Sequence, residues 1–181
     1  MLFEPEEHLD RLNPRTDFDA DFWFSGLSCA SFFGISEVVA ALLEMKYYDI
    51  NEVDFDGNTP LTWAALNGHG EVVKMLVELE GVEPDKPDNY SGTPLWYAAA
   101  NGHEGVVQVL VERGVNPDRP DIEGKTSLLC AAANGHEGVV EIVLGRAGVY
   151  PDKPDNAGKT PLSHAAEHGY ERVVEIFIIR E

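Results

Sequence analysis

The ten-residue stretch AAANGHEGVV occurs identically at residues 98–107 and again at residues 131–140. A second stretch, PDKPDN, occupies residues 84–89 and 151–156, and its variant PDRPDI lies between them at residues 117–122. The three hexads begin 33 and 34 residues apart. Self-similarity at a period of this length indicates a chain built from stacked copies of one structural unit.

Two further landmarks keep the same spacing. The triplet Thr-Pro-Leu, with serine in place of proline in one copy, recurs at residues 59–61, 93–95, 126–128 and 160–162. The pair Gly-His recurs at residues 68–69, 102–103 and 135–136. One period before Leu61 lies Leu27, in the sequence SGLSCASFFG, which we interpret as a first and degenerate copy. The sequence therefore predicts five units.

Each unit contains the signals of two short helices and a rigid connector. In the second unit, Thr59 can cap a helix that has Pro60 at its first position, and Gly68 can end it. A second helix is predicted from Gly70 onward, because residues 72–77 carry apolar side chains at helical spacing. Proline and aspartate then form the connector, since proline fixes φ and aspartate favours turns. Two short helices bury little surface alone, so the units must stack.

The recurring residues D-x-x-G-x-T-P-L-x-x-A-A-x-x-G-H, followed by a helix of the type V-V-x-x-L-L, resemble the ankyrin repeat. The resemblance extends over residues 20–181. It implies an all-α fold, an ankyrin-repeat solenoid of stacked helix-turn-helix units with extended hairpin-like loops. An N-terminal capping segment is expected at residues 1–19, followed by five ankyrin repeats, the last of them truncated, at residues 20–53, 54–87, 88–120, 121–154 and 155–181.

Two features depart from the ankyrin pattern. The histidine that usually follows Thr-Pro-Leu is replaced by Ser28, Thr62, Trp96, Leu129 and Ser163. The turn glycine of the third unit is replaced by Ser91, and we expect Gly92 to shift that turn by one residue. Near-identical tandem copies with an N-P-D-x-P-D connector also resemble the ankyrin arrays at the end of fungal NOD-like receptors.

The chain is strongly acidic, with 32 Asp and Glu against 13 Lys and Arg and a net charge of −19. A field of this sign repels nucleic acids and anionic membranes, so neither is expected as a partner. No stretch is long and apolar enough to span a bilayer, and the N-terminus lacks the features of a signal peptide. Cys29 and Cys130 lie three units apart, beyond disulfide reach, and free thiols fit a reducing compartment. The expected location is the cytoplasm, with the nucleus as the alternative.

The two ends of the chain differ from its middle. We interpret the aromatic cluster within residues 18–24 as a cap over the open edge of the first unit, because terminal units must hide a face that internal units bury. At the other end, apolar residues run from Val173 to Ile179, almost to the last residue. The chain looks cut from a longer array, and we expect a monomer or weak association through this uncapped end.

Fragments of catalytic motifs are present, but each lacks a required part. Gly-Lys-Thr at residues 124–126 and 158–160 resembles the end of a phosphate loop, yet the first glycine of that loop is missing. His164, Glu167 and His168 form H-x-x-E-H, a pattern of some zinc peptidases. A zinc-dependent hydrolase stays as a remote alternative, because the helix is short and no further ligand is evident. No catalytic residue, structural metal ligand or cofactor is otherwise predicted.

The main hypothesis is a module that binds a protein partner in a concave groove. The resemblance implies that this groove is lined by the turn tips and by outward positions of the first helices. The corresponding tip residues are Phe55, Asp56, Asn58, Asn89, Tyr90, Ile122, Glu123, Lys125, Asn156 and Lys159. The corresponding helix residues are Phe32, Phe33, Leu66, Asn67, Asn101, Asn134, Glu167 and His168.

Within this set, Phe55, Tyr90 and Ile122 are the expected anchors, since large apolar groups on a rigid surface form interface hot spots. Trp63 and Tyr97 belong to a row that is either filler between first helices or an aromatic contact stripe. The recurring asparagines serve either packing or selectivity. The histidines of the Gly-His pairs are expected to bond free backbone carbonyls at the ends of first helices.

Two functional contexts remain open from the sequence. The array is either the ligand-sensing segment of a larger multidomain receptor or a free-standing adaptor or inhibitor. The sequence names no partner.

Overall fold

A computed structural model describes residues 25–179, and in this part of the chain it has ten α-helices and no β-strand. The helices are α1 (Gly26–Phe32), α2 (Ser36–Met45), α3 (Pro60–Leu66), α4 (Gly70–Val77), α5 (Pro94–Ala100), α6 (Glu104–Glu112), α7 (Ser127–Ala133), α8 (Glu137–Leu144), α9 (Pro161–His168) and α10 (Glu171–Ile179). The predicted capping segment and the aromatic cluster within residues 18–24 lie outside the described residues. No helix within residues 25–179 is long and apolar enough to cross a bilayer.

The ten helices of the described chain stack in two layers. Each first helix packs against the second helix that follows it, so the helices form consecutive pairs. The first helices α1, α3, α5, α7 and α9 contact one another along one layer, and the second helices form the other layer in the same order. A continuous core of buried apolar side chains joins the pairs. This arrangement confirms the predicted all-α solenoid.

Threonine side chains cap the N-termini of four of the first helices. Thr59 Oγ1 accepts the N–H of Thr62 at 3.1 Å, and the same bond recurs at Thr93, Thr126 and Thr160. Three of these helices continue with proline, which has no N–H to leave unsatisfied there. Capping of this kind contributes about 1 kcal/mol to each helix. The predicted helix starts are therefore confirmed.

The Gly-His pairs hold neighbouring units together. His69 Nε2 donates to the carbonyl oxygen of Phe32 in the preceding unit at 2.8 Å. His103 and His136 make the same bond one and two units later, at 2.9 Å. A methyl group on Gly34 would lie 2.4 Å from the His69 ring, so only glycine leaves room for the imidazole. The predicted bond to a free carbonyl is confirmed, and the structure adds that the carbonyl belongs to the unit before.

The repeated proline-aspartate connectors form a second junction between units. Asp85 Oδ2 accepts the N–H of Asn116 in the next connector at 3.2 Å, and the Asp85 carbonyl oxygen accepts from Arg119 Nη1 at 3.0 Å. Asn51 and Asp118 accept in the same two ways from the connectors that follow them. The hexad therefore recurs because each copy supplies both an acceptor for the next connector and a cation for the previous one.

The turn of the third unit keeps the register of the other turns. Ser91 itself adopts the left-handed conformation, with φ of 64°, that glycine adopts at this position in the other tips. The expectation that Gly92 shifts the turn is therefore wrong. Glycine is required at position 92 for a different reason, because a methyl group there would lie 2.9 Å from the Tyr97 ring.

The last helix divides the apolar run at the C-terminus into two parts. Val173 and Phe177 are buried, whereas Ile178 and Ile179 are 59% and 82% exposed. The amphipathic spacing of the helix turns the first two side chains toward α8 and α9 and leaves the others outside. The apolar surface at this end is therefore smaller than the sequence run suggests.

Candidate protein-binding surface

A turn tip is the five-residue hairpin-like turn that precedes a first helix, and an aspartate organises each of the four tips within residues 54–159. In the second unit, Asp54 Oδ1 accepts the N–H groups of Asp56 at 3.0 Å and Asn58 at 2.8 Å. The Asp54 N–H donates to the Asn58 carbonyl oxygen at 3.1 Å, which closes the turn. The same three bonds recur in the other tips, around Asp88, Asp121 and Asp155. These bonds hold the exposed tip residues in one backbone conformation.

Backbone hydrogen bonds join each tip to the next. The N–H groups of Asn89, Ile122 and Asn156 donate to the carbonyl oxygens of Asp56, Tyr90 and Glu123, at 2.8, 3.0 and 2.9 Å. The side-chain amides of Asn89 and Asn156 add a bond to the carbonyl oxygens of Phe55 and Ile122, at 2.8 and 3.0 Å. We call these four linked tips, residues 54–58, 88–92, 121–125 and 155–159, the tip ladder.

Three large side chains of the tip ladder are exposed. Phe55 is 74% exposed, Ile122 59% and Tyr90 37%. Phe55 and Ile122 occupy the same turn position in alternate units, and an asparagine takes that position in the units between. Asn89 and Asn156 each donate a hydrogen bond to the preceding tip, at the carbonyl oxygen of the residue that carries the exposed apolar side chain. Transfer of a side chain of this kind out of water is worth about 1.5–3 kcal/mol.

Side chains from the first helices close the inner side of the tips. Trp63 Nε1 donates to Asp54 Oδ2 at 2.9 Å, and the Tyr97 hydroxyl donates to Asp88 Oδ2. Burial and the neighbouring Asp88 carboxylate raise the pKa of Tyr97. Trp63 is only 1% exposed, so it is a packing residue between the first helices and does not belong to a contact stripe. Asn58 is also buried in its tip, and it too is corrected from a contact residue to a packing residue.

The fourth unit lacks this donor from the first helix. Cys130 stands at the position of Trp63, is buried, and makes no hydrogen bond to Asp121 among the described residues. Burial raises the pKa of the Asp121 carboxyl, and the backbone N–H donors offset this only in part. In the last unit, burial also acts to raise the pKa of Asp155, but the hydrogen bond from His164 and the backbone N–H donors together outweigh it and lower that pKa. Asp121 therefore has no side-chain donor from its first helix, unlike the aspartates of the other three tips.

Asparagines end three of the first helices. Asn67 Nδ2 donates to the carbonyl oxygen of Trp63 at 2.9 Å, four residues earlier. Asn101 and Asn134 make the same bond, at 2.9 and 3.0 Å. These bonds satisfy carbonyls that a helix end leaves without partners. Of the two interpretations left open by the sequence, they favour the structural one.

The exposed ends of the first helices change from apolar to polar along the array. Phe33 in the first unit is 57% exposed, and its ring lies 5.0 Å from that of Phe32, centroid to centroid. Leu66 takes the place of Phe32 in the second unit, and alanine takes it in the third and fourth. In the last unit this place is held by Glu167. The first two units therefore present the largest apolar side chains.

The two lysines of the tip ladder are paired with carboxylates. Lys125 Nζ lies 2.5 Å from a Glu123 oxygen within the same tip. Lys159 Nζ lies 2.7 Å from Glu167 Oε2 and so joins the last tip to the end of α9. The Lys159 ammonium lowers the pKa of Glu167. These pairs leave the acidic character of the surface dominant.

The three residues of the H-x-x-E-H match are engaged separately. His164 Nε2 donates to Asp155 Oδ2 at 2.8 Å, while Glu167 is paired with Lys159. His168 Nδ1 donates to the His164 carbonyl oxygen at 2.8 Å. No group of three or more His, Cys, Asp or Glu able to hold a metal ion occurs within residues 25–179. These residues therefore do not fit a zinc site.

Sequence reasoning did not single out the tip aspartates as the residues that position the surface. The signal was present, because Asp54 precedes Trp63 by nine residues and the same interval separates Asp88 from Tyr97. A side chain with a hydrogen-bond donor nine residues after a turn aspartate therefore indicates that the aspartate is held from the first helix.

A family model for ankyrin repeats (3 copies) matches residues 27–121 and residues 114–181. Together the two matches span the whole tip ladder and all the junctions described above. No curated protein matches the chain at a significant level.

Proposed function

The chain belongs to the ankyrin repeat family, and on that premise we propose that the tip ladder and the exposed ends of the first helices bind a protein partner. Ankyrin repeats are generally protein–protein interaction modules, and the family is generally not enzymatic. The observation that carries the proposal is the exposure of Phe55 and Ile122 on hydrogen-bonded turns. Rigid apolar anchors lower the entropy cost of binding.

The partner contacts two kinds of surface in this proposal. Its apolar groups pack on Phe33, Leu66 and Phe55, which belong to the first two units, and on Ile122 farther along. Its polar groups face the last units, where Glu167 and His168 are exposed. The excess of acidic side chains favours a partner surface of positive charge, which speeds association more than it adds affinity.

This binding fits two kinds of protein. The array acts as the ligand-sensing segment of a larger multidomain receptor, a context supported by the resemblance of its near-identical copies to fungal NOD-like receptor arrays. The alternative is a free-standing adaptor or inhibitor. A nucleotide-binding domain encoded upstream in the same reading frame would support the receptor. Free thiols at Cys29 and Cys130 suit a cytoplasmic or nuclear location in either context.

The proposal is tested by comparative capture of partners from a cell lysate. The immobilised chain is compared with a Phe55→Ala and Ile122→Ala double variant, and with a Glu71→Ala and Glu141→Ala double variant on the second helices. All four side chains are exposed, so neither pair of changes is expected to unfold the chain. A specific partner is retained by the wild type and the glutamate variant and lost from the tip variant. Loss from the glutamate variant alone would exclude the tip ladder as the binding surface.

A further inference from the structure

The three junctions between neighbouring tips of the tip ladder are of two kinds. At the junction of the second and third units, and again at that of the fourth and fifth, an asparagine joins the tips by its backbone N–H and also by its side-chain amide. We call this additional side-chain bond the amide link. At the junction of the third and fourth units, Ile122 donates its backbone N–H to the Tyr90 carbonyl oxygen at 3.0 Å, and its side chain has no amide to add.

The turn residue of the third tip excludes an amide link at this junction. A methyl group on Gly57 would lie 2.9 Å from Asn89 Oδ1, and one on Gly124 would lie 2.6 Å from Asn156 Oδ1, so the link requires glycine in the earlier tip. Ser91 takes that position in the third tip and carries a Cβ atom there. Its φ of 64° is one that glycine adopts at lower cost, so serine is not the most stable residue for this turn.

The fourth tip also lacks a side-chain bond from its own first helix. Asp121 Oδ1 accepts the backbone N–H groups of Glu123 and Lys125, at 2.9 and 2.8 Å. The residue that would donate from α7 is Cys130, which is buried and makes no hydrogen bond to Asp121 among the described residues. The fourth tip is therefore less restrained than the other tips on two sides, toward the third tip and toward α7.

The other end of the same first helices is joined more firmly. The Ala100 carbonyl oxygen accepts from His136 Nε2 at 2.9 Å and from Asn134 Nδ2 at 3.2 Å, so two side chains of the fourth unit hold it. At the junction one unit earlier, the corresponding amide of Asn101 donates within its own helix. Because α5 and α7 are each seven residues long, about 10 Å separates this bonded end from the tips.

We propose that the tip ladder is hinged between Ser91 and Ile122, with its pivot at the bonded helix ends around Ala100. The tips at residues 54–58 and 88–92 then move as one half, and the tips at residues 121–125 and 155–159 move as the other, because an amide link joins the two tips of each half. Phe55 belongs to the first half and Ile122 to the second, so a partner that contacts both side chains sets the opening of the hinge. That consequence alone rests on the proposed function.

The hinge is tested on the free chain by amide exchange resolved to single residues by NMR. The N–H groups of Asn89 and Ile122 occupy equivalent places in the ladder, so their protection factors compare a junction that has the amide link with the one that lacks it. The N–H of Ile122 is expected to be protected about 2- to 10-fold less than that of Asn89, the effect of one hydrogen bond. Relaxation dispersion at Ser91 and Ile122 should report the same opening on the microsecond to millisecond timescale.

Variants add the amide link to this junction or remove it from another. The double variant Ser91→Gly with Ile122→Asn recreates the pair formed by Gly57 and Asn89, and it should raise the protection of the residue 122 amide to that of residue 89 and abolish the dispersion. Ile122→Asn alone is the matched control and should not, because the Ser91 Cβ blocks the amide; Ser91→Gly alone should not, because isoleucine supplies none. Asn89→Ile should lower the protection of the residue 89 amide to that of residue 122 in the wild type.

Equal protection of the residue 89 and residue 122 amides in the wild type would overturn the proposal, and this measurement needs no variant to fold. An equal gain from Ile122→Asn with and without Ser91→Gly would overturn it as well, since serine would then not exclude the amide link. These measurements use no partner, so they are independent of the proposed function. A rigid ladder would leave binding at the tips intact, and a partner bound elsewhere would leave the exchange pattern of the free chain unchanged.

Discussion

The hydrogen bond between Tyr97 and Asp88 provides a test of the conclusion that first-helix side chains stabilise the tips, because one substitution removes only the donor oxygen. Tyr97→Phe removes the hydroxyl that donates to Asp88 Oδ2 and leaves the ring in place. Asp88 is only 7% exposed, so water replaces the lost donor poorly. A hydrogen bond to a charged acceptor contributes about 1.5–3 kcal/mol, and we expect the free energy of unfolding to fall by about 2 kcal/mol.

The assay is urea unfolding of Tyr97→Phe beside Tyr47→Phe, which removes a hydroxyl from a side chain that is 90% exposed. The pH dependence supplies a second check. Burial and Asp88 raise the pKa of Tyr97 above its ordinary value of 10.0, so the folded state keeps the proton longer than the unfolded state. The stability advantage of the wild type should be constant below pH 10 and shrink as the pH rises beyond it. Equal stability of Tyr97→Phe and Tyr47→Phe would refute the reasoning.

Three further expectations concern the junctions and the metal motif. Burial raises the pKa of Asp85, so above that pKa the ionised carboxylate lowers the stability of the folded state. Asp85→Asn removes this charge and provides an amide like that of Asn51, which both donates and accepts a hydrogen bond at the preceding junction. We expect it to raise the free energy of unfolding by about 0.5–1.5 kcal/mol at pH 7. Calorimetry should show this gain shrinking as the pH falls toward 4. His103→Ala removes the bond to the preceding unit and should cost about 0.5–1.5 kcal/mol in urea unfolding. A chelator should leave the melting temperature unchanged, since the motif at residues 164–168 forms no metal site; a zinc ion that survives dialysis would contradict this.

The parts of the fold that depend on neighbouring residues could be predicted from the sequence. Thr59, Pro60 and Gly68 each act within one helix, so the start and end of that helix follow from local chemistry. The period of the motifs then required stacking, because one unit cannot bury its apolar faces alone. Ser91 shows the limit of this reasoning. Its left-handed conformation is imposed by the closed turn, and residue preference alone pointed to the adjacent glycine.

The parts that depend on the unit before or after could not be predicted from the sequence. His69 donates to Phe32, 37 residues earlier, and no local pattern says which carbonyl it meets. The sequence left Trp63 as either filler between first helices or part of a contact stripe, and only the structure shows that it is buried and bonded to Asp54. For the candidate site, Phe55 and Ile122 were predictable as exposed tip residues, while the amides that hold them became visible only in three dimensions.

The most direct test of the proposed function is the dissociation constant of the captured partner, measured for the wild type, Phe55→Ala and Glu71→Ala at low and high salt. The tip account predicts that Phe55→Ala weakens binding by about 1–2 kcal/mol, or about 5- to 30-fold, at both salt concentrations. It predicts that Glu71→Ala changes mainly the association rate, and only at low salt. Unchanged affinity of Phe55→Ala together with a salt-independent loss in Glu71→Ala would contradict the account and would place the partner on the second helices.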